Sequence, residues 1–349
     1  MKHYDYSFLR NLSVPVSFMN FTNAIFELKT EEQEKRRLYP KLFTALQKIA
    51  IVQSVKGSNA IEGIITTDKR IAAIVNNSSA PLNHNEQEIA GYRDALNLIH
   101  TRNPEITLSE DTILNLHQIM FSYTDIPYAG QYKKEDNIIR ETYPDGTSYV
   151  RWIPVSAKDT PNAINQMTLA YMDARDDSRI NQLLLIPCVI LDFLCIHPFR
   201  DGNGRISRLL SLLLLYKSGF DISKYISFEE QINSIKGKYH EALRQSSMGW
   251  HENKNDYVPF IGDFLWTLYL CYKELNKRFL TLSTEKINMK KRIEETVLNA
   301  FLPIGKKEIQ EMLPDVSITT IELVLGSLLK KGSIEKIGST KGAKYIKAK

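Results

Sequence analysis

The chain has 349 residues, of which 43% are hydrophobic and 24% are charged, a composition typical of a soluble globular protein. This length predicts two or three domains, and every apolar run is too short or too interrupted to cross a bilayer. The net charge of +5 is uneven, because residues 285–349 hold 13 Lys or Arg against 8 Asp or Glu while the preceding segment is balanced. Any basic surface is therefore expected in the C-terminal segment.

Two features bear on the cellular compartment. The residues that follow Met1 do not combine a basic start with an apolar stretch, so they do not indicate a signal peptide. Cys188, Cys195 and Cys271 lie within apolar helical patterns, and their spacing does not suggest a zinc site. Such cysteines are typical of reduced core residues. We therefore expect a cytoplasmic protein.

Helical spacing dominates the first 120 residues. After an aromatic arm, helices are predicted near residues 21–29, over 31–56, 67–75 and 83–100, and from Ser109 onward. Residues 58–63 read SNAIEG, which is typical of a helix that ends at Glu62 with Gly63 as its C-terminal cap. His117 lies inside the helix after Ser109, where a histidine is more often a core or capping residue than a catalyst.

Residues 128–153 break the helical pattern. Two β-favouring runs, 137–141 and 148–152, flank the sequence YPDG, and Asp-Gly between such runs signals a hairpin. Two interpretations are open for this hairpin: a connecting loop, or a flap that holds a peptide by strand addition.

The twelve residues 197–208 carry the most chemistry, and they read HPFRDGNGRISR between two long apolar runs. Gly202 and Gly204 allow backbone N–H groups to curve around an anion. A helix that starts near Arg205 would point its positive end at the same place.

The charged residues of this segment suit a nucleotide. Arg205 and Arg208 are three residues apart, so they share one face of a helix. Asp201 is a candidate ligand for Mg²⁺, and His197 is a candidate for proton transfer. The segment therefore predicts a nucleotide-phosphate site.

The remaining chain up to residue 279 predicts helices at 163–173, 181–196, 206–217, 228–246 and 257–279. No parallel-sheet pattern accompanies the glycines, so they do not form a dinucleotide-binding fingerprint. The predicted fold class is all-α.

The C-terminal segment predicts a small separate unit. Three helices at 290–301, 306–313 and 317–331 precede a strand pair at 333–337 and 343–346, which is the pattern of a winged helix-turn-helix. Its third helix starts after the cap Ser317, and its wing is rich in lysines that suit a DNA backbone: Lys336, Lys341, Lys344, Lys347 and Lys349. The alternative is a protein-binding unit, because the third helix has no Arg and Glu322 would face phosphate.

The 197–208 segment resembles the signature of the Fic family, His-x-Phe-x-(Asp/Glu)-Gly-Asn-Gly-Arg-x-x-Arg, at every fixed position. A looser resemblance extends from about residue 30 to 280. Fic proteins are all-helical and mostly transfer AMP from ATP to a Ser, Thr or Tyr hydroxyl of a protein. The resemblance implies a Fic-type helical bundle with a β-hairpin flap, divided into an N-terminal helical region (1–110), a catalytic core (111–284) and the winged helix-turn-helix (285–349).

The resemblance also implies a role for each motif residue. His197 would be the general base, Asp201 would hold Mg²⁺ and Phe199 would anchor the loop. The phosphates of ATP would be bound by Gly202, Asn203, Gly204, Arg205 and Arg208. Residues 239–243 read YHEAL and are similar to the family's Tyr-Tyr-x-x-Leu near adenine, so Tyr239 is either an adenine-stacking residue or a core tyrosine.

The SNAIEG sequence acquires a second interpretation from the same resemblance. Fic proteins that carry their own inhibitor have Ser/Thr-x-x-x-Glu-Gly/Asn on a helix, which Ser58 and Glu62 match. Glu62 would pair with Arg208 and compete with the γ-phosphate of ATP for this bidentate partner. In some relatives the same Glu orients a water for removal of AMP from the target. The resemblance therefore implies removal of AMP as a second activity to be tested here.

The resemblance suggests partners as well as chemistry. A target protein would dock at the 137–152 flap, and self-modification and a homodimer are also implied. Relatives of the Doc type, which phosphorylate proteins, depart from the second half of the motif, so the intact motif favours nucleotidyl transfer. Two alternatives are a DNA-binding regulator that senses nucleotide, and a different phosphoryl or phosphodiester transfer on the same scaffold.

Overall fold

The computed structural model describes residues 2–142, 146–283, 289–300, 302–314, 316–338 and 342–348. After a short 3₁₀ helix at Ser7–Asn11, the first half of the chain forms five helices: α1 Val16–Leu38, α2 Pro40–Ile61, α3 Asp68–Val75, α4 His84–Arg102 and α5 Glu110–Met120. The prediction of a short first helix was wrong, because α1 is largely solvent-exposed and lacks a continuous apolar stripe. Pro40 occupies the first position of α2, where proline needs no backbone donor, and it marks the break from α1.

Six helices follow between residues 160 and 283: α6 Thr160–Arg175, α7 Gln182–Ile196, α8 Asn203–Lys217, α9 Phe228–Ser234, α10 Lys236–Ser247 and α11 Val258–Ser283. The predicted single helix at 228–246 is two helices, because the backbone of Ile235 leaves the helical region between them. Helices α7 and α8 are almost wholly buried and pack against each other at the centre. Around them, α1 packs on α11, α2 on α9, α4 on α5 and α6 on α7.

The predicted hairpin is formed by β1 (Ile139–Thr142) and β2 (Ser148–Trp152), which pair antiparallel with Arg140 opposite Val150. Of its predicted turn, residues 143–145 lie outside the described part of the chain. Two side chains of β2 tie the hairpin to the helices, since Trp152 Nε1 donates to the Cys195 carbonyl at 2.9 Å and Arg151 Nη2 donates to the His240 carbonyl at 3.1 Å. The base of the hairpin is thus held against the end of α7.

The described part of the C-terminal segment contains three helices and a small antiparallel sheet. The elements are α12 Met289–Leu298, β3 Ile304–Gly305, α13 Lys306–Met312, α14 Ile318–Lys330, β4 Ile334–Ile337 and β5 Lys344–Lys347, with strand order β3-β5-β4. Strand β3 was not predicted, and Lys341 and Lys349 of the predicted wing lie outside the described residues. Ser317 caps α14 by accepting from the Thr320 N–H at 3.2 Å. The winged-helix assignment stays a prediction, because element order alone does not establish it.

The chain is mostly helical with a few short strands, as predicted. One hydrophobic cluster runs from Tyr6 in the N-terminal arm to Tyr345 in β5, and α13 packs on α2 while α12 packs on α11. The domain boundaries at 110 and 284 stay predictions. The three cysteines are buried and unpaired. Within the described residues, no helix combines the length and apolar character that a membrane span requires.

Candidate active site

His197 occupies a backbone conformation that few residues adopt. It follows the last residue of α7 with φ 51° and ψ 62°, in the left-handed region. Lys133 holds both neighbours of this residue, since its backbone N–H donates to the Pro198 carbonyl at 2.9 Å and its Nζ donates to the Ile196 carbonyl at 3.3 Å. A strained residue that its surroundings hold so firmly is typical of a functional position.

The environment of His197 favours its neutral form. Burial, followed by the positive charge of Lys133, lowers the pKa of this imidazole to about 4, although the Leu194 carbonyl, Glu62 and Asp201 act in the opposite direction. Burial also lowers the pKa of Lys133 to about 8. A neutral imidazole at pH 7 can accept a proton, which is the first requirement for a general base.

The loop after His197 is shaped by Asn203 and Gly202. The Asn203 side chain accepts from the Phe199 N–H at 2.9 Å and donates to the Phe199 carbonyl at 2.8 Å, so it closes the loop on itself. The expected part of Asn203 in cradling the phosphates stays a prediction. Gly202 has φ 82° and caps α8, whose first residues are Asn203 and Gly204. The first N–H groups of this helix have no acceptor within the helix, which makes its start suited to anions.

Phe199 and His117 form the floor of the loop. Phe199 is fully buried, in agreement with its expected anchoring position, and its ring stacks on His117 with centroids 3.8 Å apart. His117 is also fully buried, so the interpretation of this histidine as a core residue is confirmed. Its Nδ1 accepts from the Gly130 N–H at 2.9 Å, and its Nε2 lies 3.1 Å from the Asp201 carbonyl oxygen. The sequence carried no signal for these contacts.

The structure brings Arg208 together with Ser58 and Glu62 from the end of α2. Arg208 Nη2 donates to Glu62 Oε1 at 2.8 Å and to the Ser58 carbonyl at 3.0 Å, and Arg208 Nε donates to Ser58 Oγ at 2.9 Å. Gly63, with φ 79°, follows as the predicted helix cap. The Glu62 carboxylate also lies against Gly204, where an added Cβ would overlap it. A carboxylate therefore occupies the anion-binding start of α8.

The ionisation of Glu62 follows from this contact. Partial burial opposes the charged form, but Arg208, through its charge and hydrogen bond, and Arg205 more than offset it, so the pKa of the Glu62 carboxyl is lowered. Burial lowers the pKa of the Arg208 guanidinium, but the charge of Glu62 and its hydrogen bond more than offset this effect, so the pKa is raised. Both groups are charged near neutral pH.

Arg205 is paired with Glu88 of α4, a residue that the sequence did not indicate. Arg205 Nη2 lies 2.6 Å from Glu88 Oε2, and the guanidinium lies over the Phe121 ring at 5.1 Å from its centroid. Both charged side chains are buried. The pairing fixes Arg205 beside the loop, on the α4 side of α8.

Asp201 is the exposed carboxylate of the loop, with its side chain 60% accessible and 4.0 Å from Arg205 Nη2. Within the described residues, no group of three or more His, Cys, Asp or Glu side chains could hold a metal ion. Magnesium commonly needs only one or two protein carboxylates when substrate phosphates supply further ligands. An accessible carboxylate next to an anion-binding helix start fits that requirement.

Tyr239 is a buried residue rather than an open platform. The residue is only 6% exposed, and its ring centroid lies 5.8 Å from that of Phe260. Burial raises its pKa to about 12, while the charge of Arg208 and a hydrogen bond with Ser207 act in the opposite direction. Because stacking on adenine needs an accessible ring face, this geometry favours the core interpretation.

Comparisons with known proteins agree with the fold and with the central segment. A family model described as the Fic/DOC family matches residues 107–215. Protein adenylyltransferase Fic from Nematostella vectensis is 28% identical over 223 residues, which cover 61% of this chain and 46% of that protein. A Fido domain-containing protein from Dictyostelium discoideum is 32% identical over 96 residues, which cover 25% of this chain and 67% of that protein.

A solved structure is similar over nearly the whole chain. A Fic family protein from Desulfovibrio desulfuricans has a TM-score of 0.61 at 18% identity and covers 97% of both chains. This likeness concerns the fold alone. The chain spans about half the length of curated relatives such as the Nematostella protein.

Proposed function

The chain belongs to the Fic/DOC family, and from this premise we propose that it is an auto-inhibited protein adenylyltransferase. It transfers AMP from ATP to a Ser, Thr or Tyr hydroxyl of a protein. The catalytic residue is His197, and Glu62 restrains the reaction. The three buried, unpaired cysteines suit action in a reducing compartment such as the cytoplasm.

One observation carries the proposal: a carboxylate lies where a phosphate would bind. Glu62 Oε1 lies 2.8 Å from Arg208 Nη2, and the Glu62 carboxylate lies against Gly204 at the start of α8. Arg208 is the residue expected to hold the γ-phosphate of ATP. Carboxylate and phosphate compete for the same guanidinium geometry, so ATP gains its full set of contacts only when Glu62 withdraws.

The chemical step requires little covalent help from the protein. The target hydroxyl oxygen bonds to the α-phosphorus, the bond from this phosphorus to pyrophosphate breaks, and pyrophosphate leaves with the electron pair. His197 takes the hydroxyl proton, and its lowered pKa keeps it neutral beforehand. Mg²⁺, held by Asp201 and phosphate oxygens, would neutralise charge on the phosphates.

Three parts of the chain position the substrate phosphates. The helix start at Gly202 and Gly204 offers backbone N–H groups, while Arg205 and Arg208 supply positive charge. Asn203 acts by closing the loop on the Phe199 backbone. Hydrolytic removal of AMP would use the same site. A water oriented by Glu62 would attack the phosphorus of the attached AMP, the bond from this phosphorus to the target oxygen would break, and His197 would return a proton to that oxygen.

The hairpin is the proposed docking element for the target. Strand β2 is exposed along Ser148–Val150, and both strands of the two-stranded sheet have an open edge among the described residues. An extended target segment could add to such an edge through backbone hydrogen bonds. Trp152, at the base of the hairpin, donates to the carbonyl of Cys195, which lies two residues before His197 in the sequence.

The C-terminal unit is better suited to a protein partner than to DNA. On α14, Leu323 is 71% exposed, which suits an apolar contact more than a DNA groove. Lys306 pairs with Glu322, and Lys344 pairs with Glu308 at 3.3 Å, so acidic groups lie beside these lysines. The DNA-binding alternative predicts salt-dependent binding to a duplex that is lost when residues 285–349 are deleted.

Intact-mass analysis tests the proposal directly. The Glu62→Gly protein, incubated with ATP and Mg²⁺, is expected to gain the mass of AMP on itself or to transfer it to a protein in a lysate. His197→Ala in the same background is expected to abolish the transfer. A gain of phosphate mass would indicate that the protein is a kinase rather than an adenylyltransferase. The absence of any labelled protein would overturn the proposal.

A further inference from the structure

The backbone on both sides of His197 is held by a lysine from the loop that precedes β1. The Lys133 N–H donates to the Pro198 carbonyl at 2.9 Å, and its Nζ donates to the Ile196 carbonyl at 3.3 Å. Lys133 is only 5% exposed, so its charged group needs protein partners. Ile196 ends α7, where backbone carbonyls have no donor within the helix and a positive charge is favourable.

Two further donors from the segment that carries the hairpin reach neighbouring carbonyls. Asn137 Nδ2 donates to the Phe199 carbonyl at 3.3 Å, and Trp152 Nε1, at the end of β2, donates to the Cys195 carbonyl at 2.9 Å. Asn137 Oδ1 also accepts from Lys133 Nζ at 2.9 Å, which joins the two side chains of the loop. We call Lys133, Asn137 and Trp152 the clamp.

The clamp holds the two residues before His197 and the two residues after it through their carbonyl groups. Between these points His197 has φ 51° and ψ 62°, which is unfavourable for a residue with a Cβ. The direction of the imidazole follows from these backbone angles, so their relaxation would move the ring away from its present position. The hydrogen bonds of the clamp oppose this relaxation.

The loop before β1 has attachments of its own. Asp136 Oδ1 accepts from the Ala157 N–H at 2.6 Å, and the Gly130 N–H donates to His117 Nδ1 at 2.9 Å. These bonds fix the loop to the segment before α6 and to α5. The clamp side chains of this loop therefore project from a backbone that is held on both sides of them.

We propose that Lys133, Asn137 and Trp152 are positioning residues that hold His197 in the orientation in which it accepts the proton of the target hydroxyl. This inference rests on the proposed function, because that function assigns proton transfer to His197. The bonds of the clamp go to the backbone around His197, so their loss should lower the transfer rate and leave ATP affinity unchanged. One segment would then both receive the target, through β1 and β2, and align the base that deprotonates it.

Transfer rate and nucleotide affinity, measured together in the Glu62→Gly background, test this role. Label from α-labelled ATP, incorporated into the protein itself and into a lysate, gives the rate at saturating Mg²⁺-ATP. Calorimetric titration with Mg²⁺ and the unreactive analogue α,β-methylene-ATP gives a dissociation constant. Adding Lys133→Met is expected to lower the rate about tenfold or more, because a small misplacement of a reacting group is costly, and to change the dissociation constant less than about twofold.

Two neutral variants separate the hydrogen bonds of the clamp from the charge of Lys133. Asn137→Ala and Trp152→Phe each remove a bond to a backbone carbonyl and leave the net charge unchanged. Both are expected to lower the rate severalfold without a change in the dissociation constant, and they keep the test available if Lys133→Met does not fold. Rates equal to that of Glu62→Gly in both neutral variants would overturn the proposal.

Lys217→Met is the matched control, since Lys217 Nζ donates to the Pro104 carbonyl at 3.1 Å at an exposed site. The same substitution there removes a lysine-to-carbonyl bond and one positive charge, and it should leave the rate and the dissociation constant unchanged. If the clamp variants weakened nucleotide binding as much as they lowered the rate, the clamp would have a merely structural role and the proposal would fail.

Hydrogen exchange separates this inference from the proposed function. The backbone N–H groups of His197 and Phe199 are both hydrogen-bonded. In Glu62→Gly without nucleotide, their exchange, followed by NMR, is expected to be slow and to accelerate severalfold in the neutral variants but not in the control. If Glu62→Gly transfers no AMP while exchange accelerates in this way, the transfer proposal fails and the clamp stands. Unchanged exchange in both neutral variants overturns the clamp.

Discussion

The Nε2 atom of His117 lies 3.1 Å from the carbonyl oxygen of Asp201, although 84 residues separate them in the sequence. Because Nδ1 of the same ring accepts from the Gly130 N–H, Nε2 carries the proton and donates to Asp201. Burial lowers the pKa of His117 to about 4, so this neutral tautomer persists at pH 7. The histidine joins the loop before the hairpin to the loop that carries the motif.

His117→Phe tests this contact between the two loops. The new ring can keep the stacking on Phe199, but the Asp201 carbonyl and the Gly130 N–H lose their partner. The free energy of unfolding is expected to fall by about 1–3 kcal/mol, and AMP transfer in the Glu62→Gly background should fall as well. Urea denaturation and intact mass measure the two effects. His251→Phe is the control, since His251 contacts the Ile153 carbonyl at an exposed site and should cost at most about 0.5 kcal/mol.

The Glu62–Arg208 contact should not respond to pH near neutrality. A lowered carboxyl pKa means that the stabilisation is complete above the unfolded value of about 4.5 and is lost only as pH falls through the lower folded value. The ratio of wild-type to Glu62→Gly transfer rates is therefore expected to stay constant from pH 8 to pH 6. The Glu62→Gln side chain is neutral at every pH and cannot form the ion pair with Arg208, so this variant should be free of inhibition throughout this range. If the ratio of wild-type to Glu62→Gly transfer rates rose severalfold toward pH 6, a lowered pKa of the Glu62 carboxyl would be contradicted.

Buried neutral histidines should make the fold sensitive to acid. Burial lowers the pKa of His100 to about 3, whereas an unfolded histidine titrates near 6.5. Below about pH 6.5 the unfolded chain binds more protons, so stability contributed by His100 falls as pH decreases, by about 2 kcal/mol at pH 5. Urea denaturation of the protein and of His100→Leu between pH 7 and pH 5 should show a shallower decline for the variant. Parallel curves would indicate that His100 is not held neutral.

Asp192 should be a principal anchor of the N-terminal arm. This fully buried carboxylate accepts from Tyr6 at 2.8 Å, from Trp250 at 2.7 Å and from Tyr257 at 2.8 Å. Asp192→Ala leaves all three donors unpaired and is expected to cost about 3–5 kcal/mol of unfolding free energy. Tyr6→Phe removes one donor and should cost only about 1 kcal/mol. Comparable costs for the two variants, measured in urea, would show that the three bonds do not act through the carboxylate.

Two glycines with positive φ provide a comparison of strain with steric overlap. Gly63 has φ 79° and nothing within 4 Å of an added Cβ. Gly202 has φ 82°, and an added Cβ would lie 2.5 Å from Met120 Cε and 3.0 Å from the rigid Phe121 ring at Cε2. Gly63→Ala is expected to cost about 1 kcal/mol from strain alone. Gly202→Ala should cost more and should reduce nucleotide binding, because Gly202 caps α8. Equal unfolding free energies for the two variants would contradict the close approach at Gly202.

The extent of sequence-based prediction differs between buried and exposed helices. The helix predicted at 181–196 is observed as Gln182–Ile196, because its apolar run is continuous and ends at the motif. The exposed α1 was predicted too short, since its side chains carry no apolar period. The break between α9 and α10 was missed because helical spacing continues across Ile235.

A similar distinction applies to the candidate site. The motif residues lie within twelve positions, so local spacing alone indicated a phosphate site there. Their partners Glu88, His117 and Lys133 come from other helices and loops. Contacts between segments that are far apart in the sequence leave no local pattern, and only the packed fold identifies them.

Ser58 lies in the last turn of α2 and Glu62 directly follows the helix, and both contact Arg208. An activating partner that pulled the whole helix away would therefore disorder Arg208 at the same time as it removed the inhibitor. Unwinding only the last turn, after Ser58, would release Glu62 and keep Arg208 oriented. Lys236 Nζ, from α10, donates to the Ile61 carbonyl at 2.6 Å and thereby stabilises this last turn. Loss of the Lys236 bond would therefore favour unwinding of this last turn and withdrawal of Glu62 from Arg208.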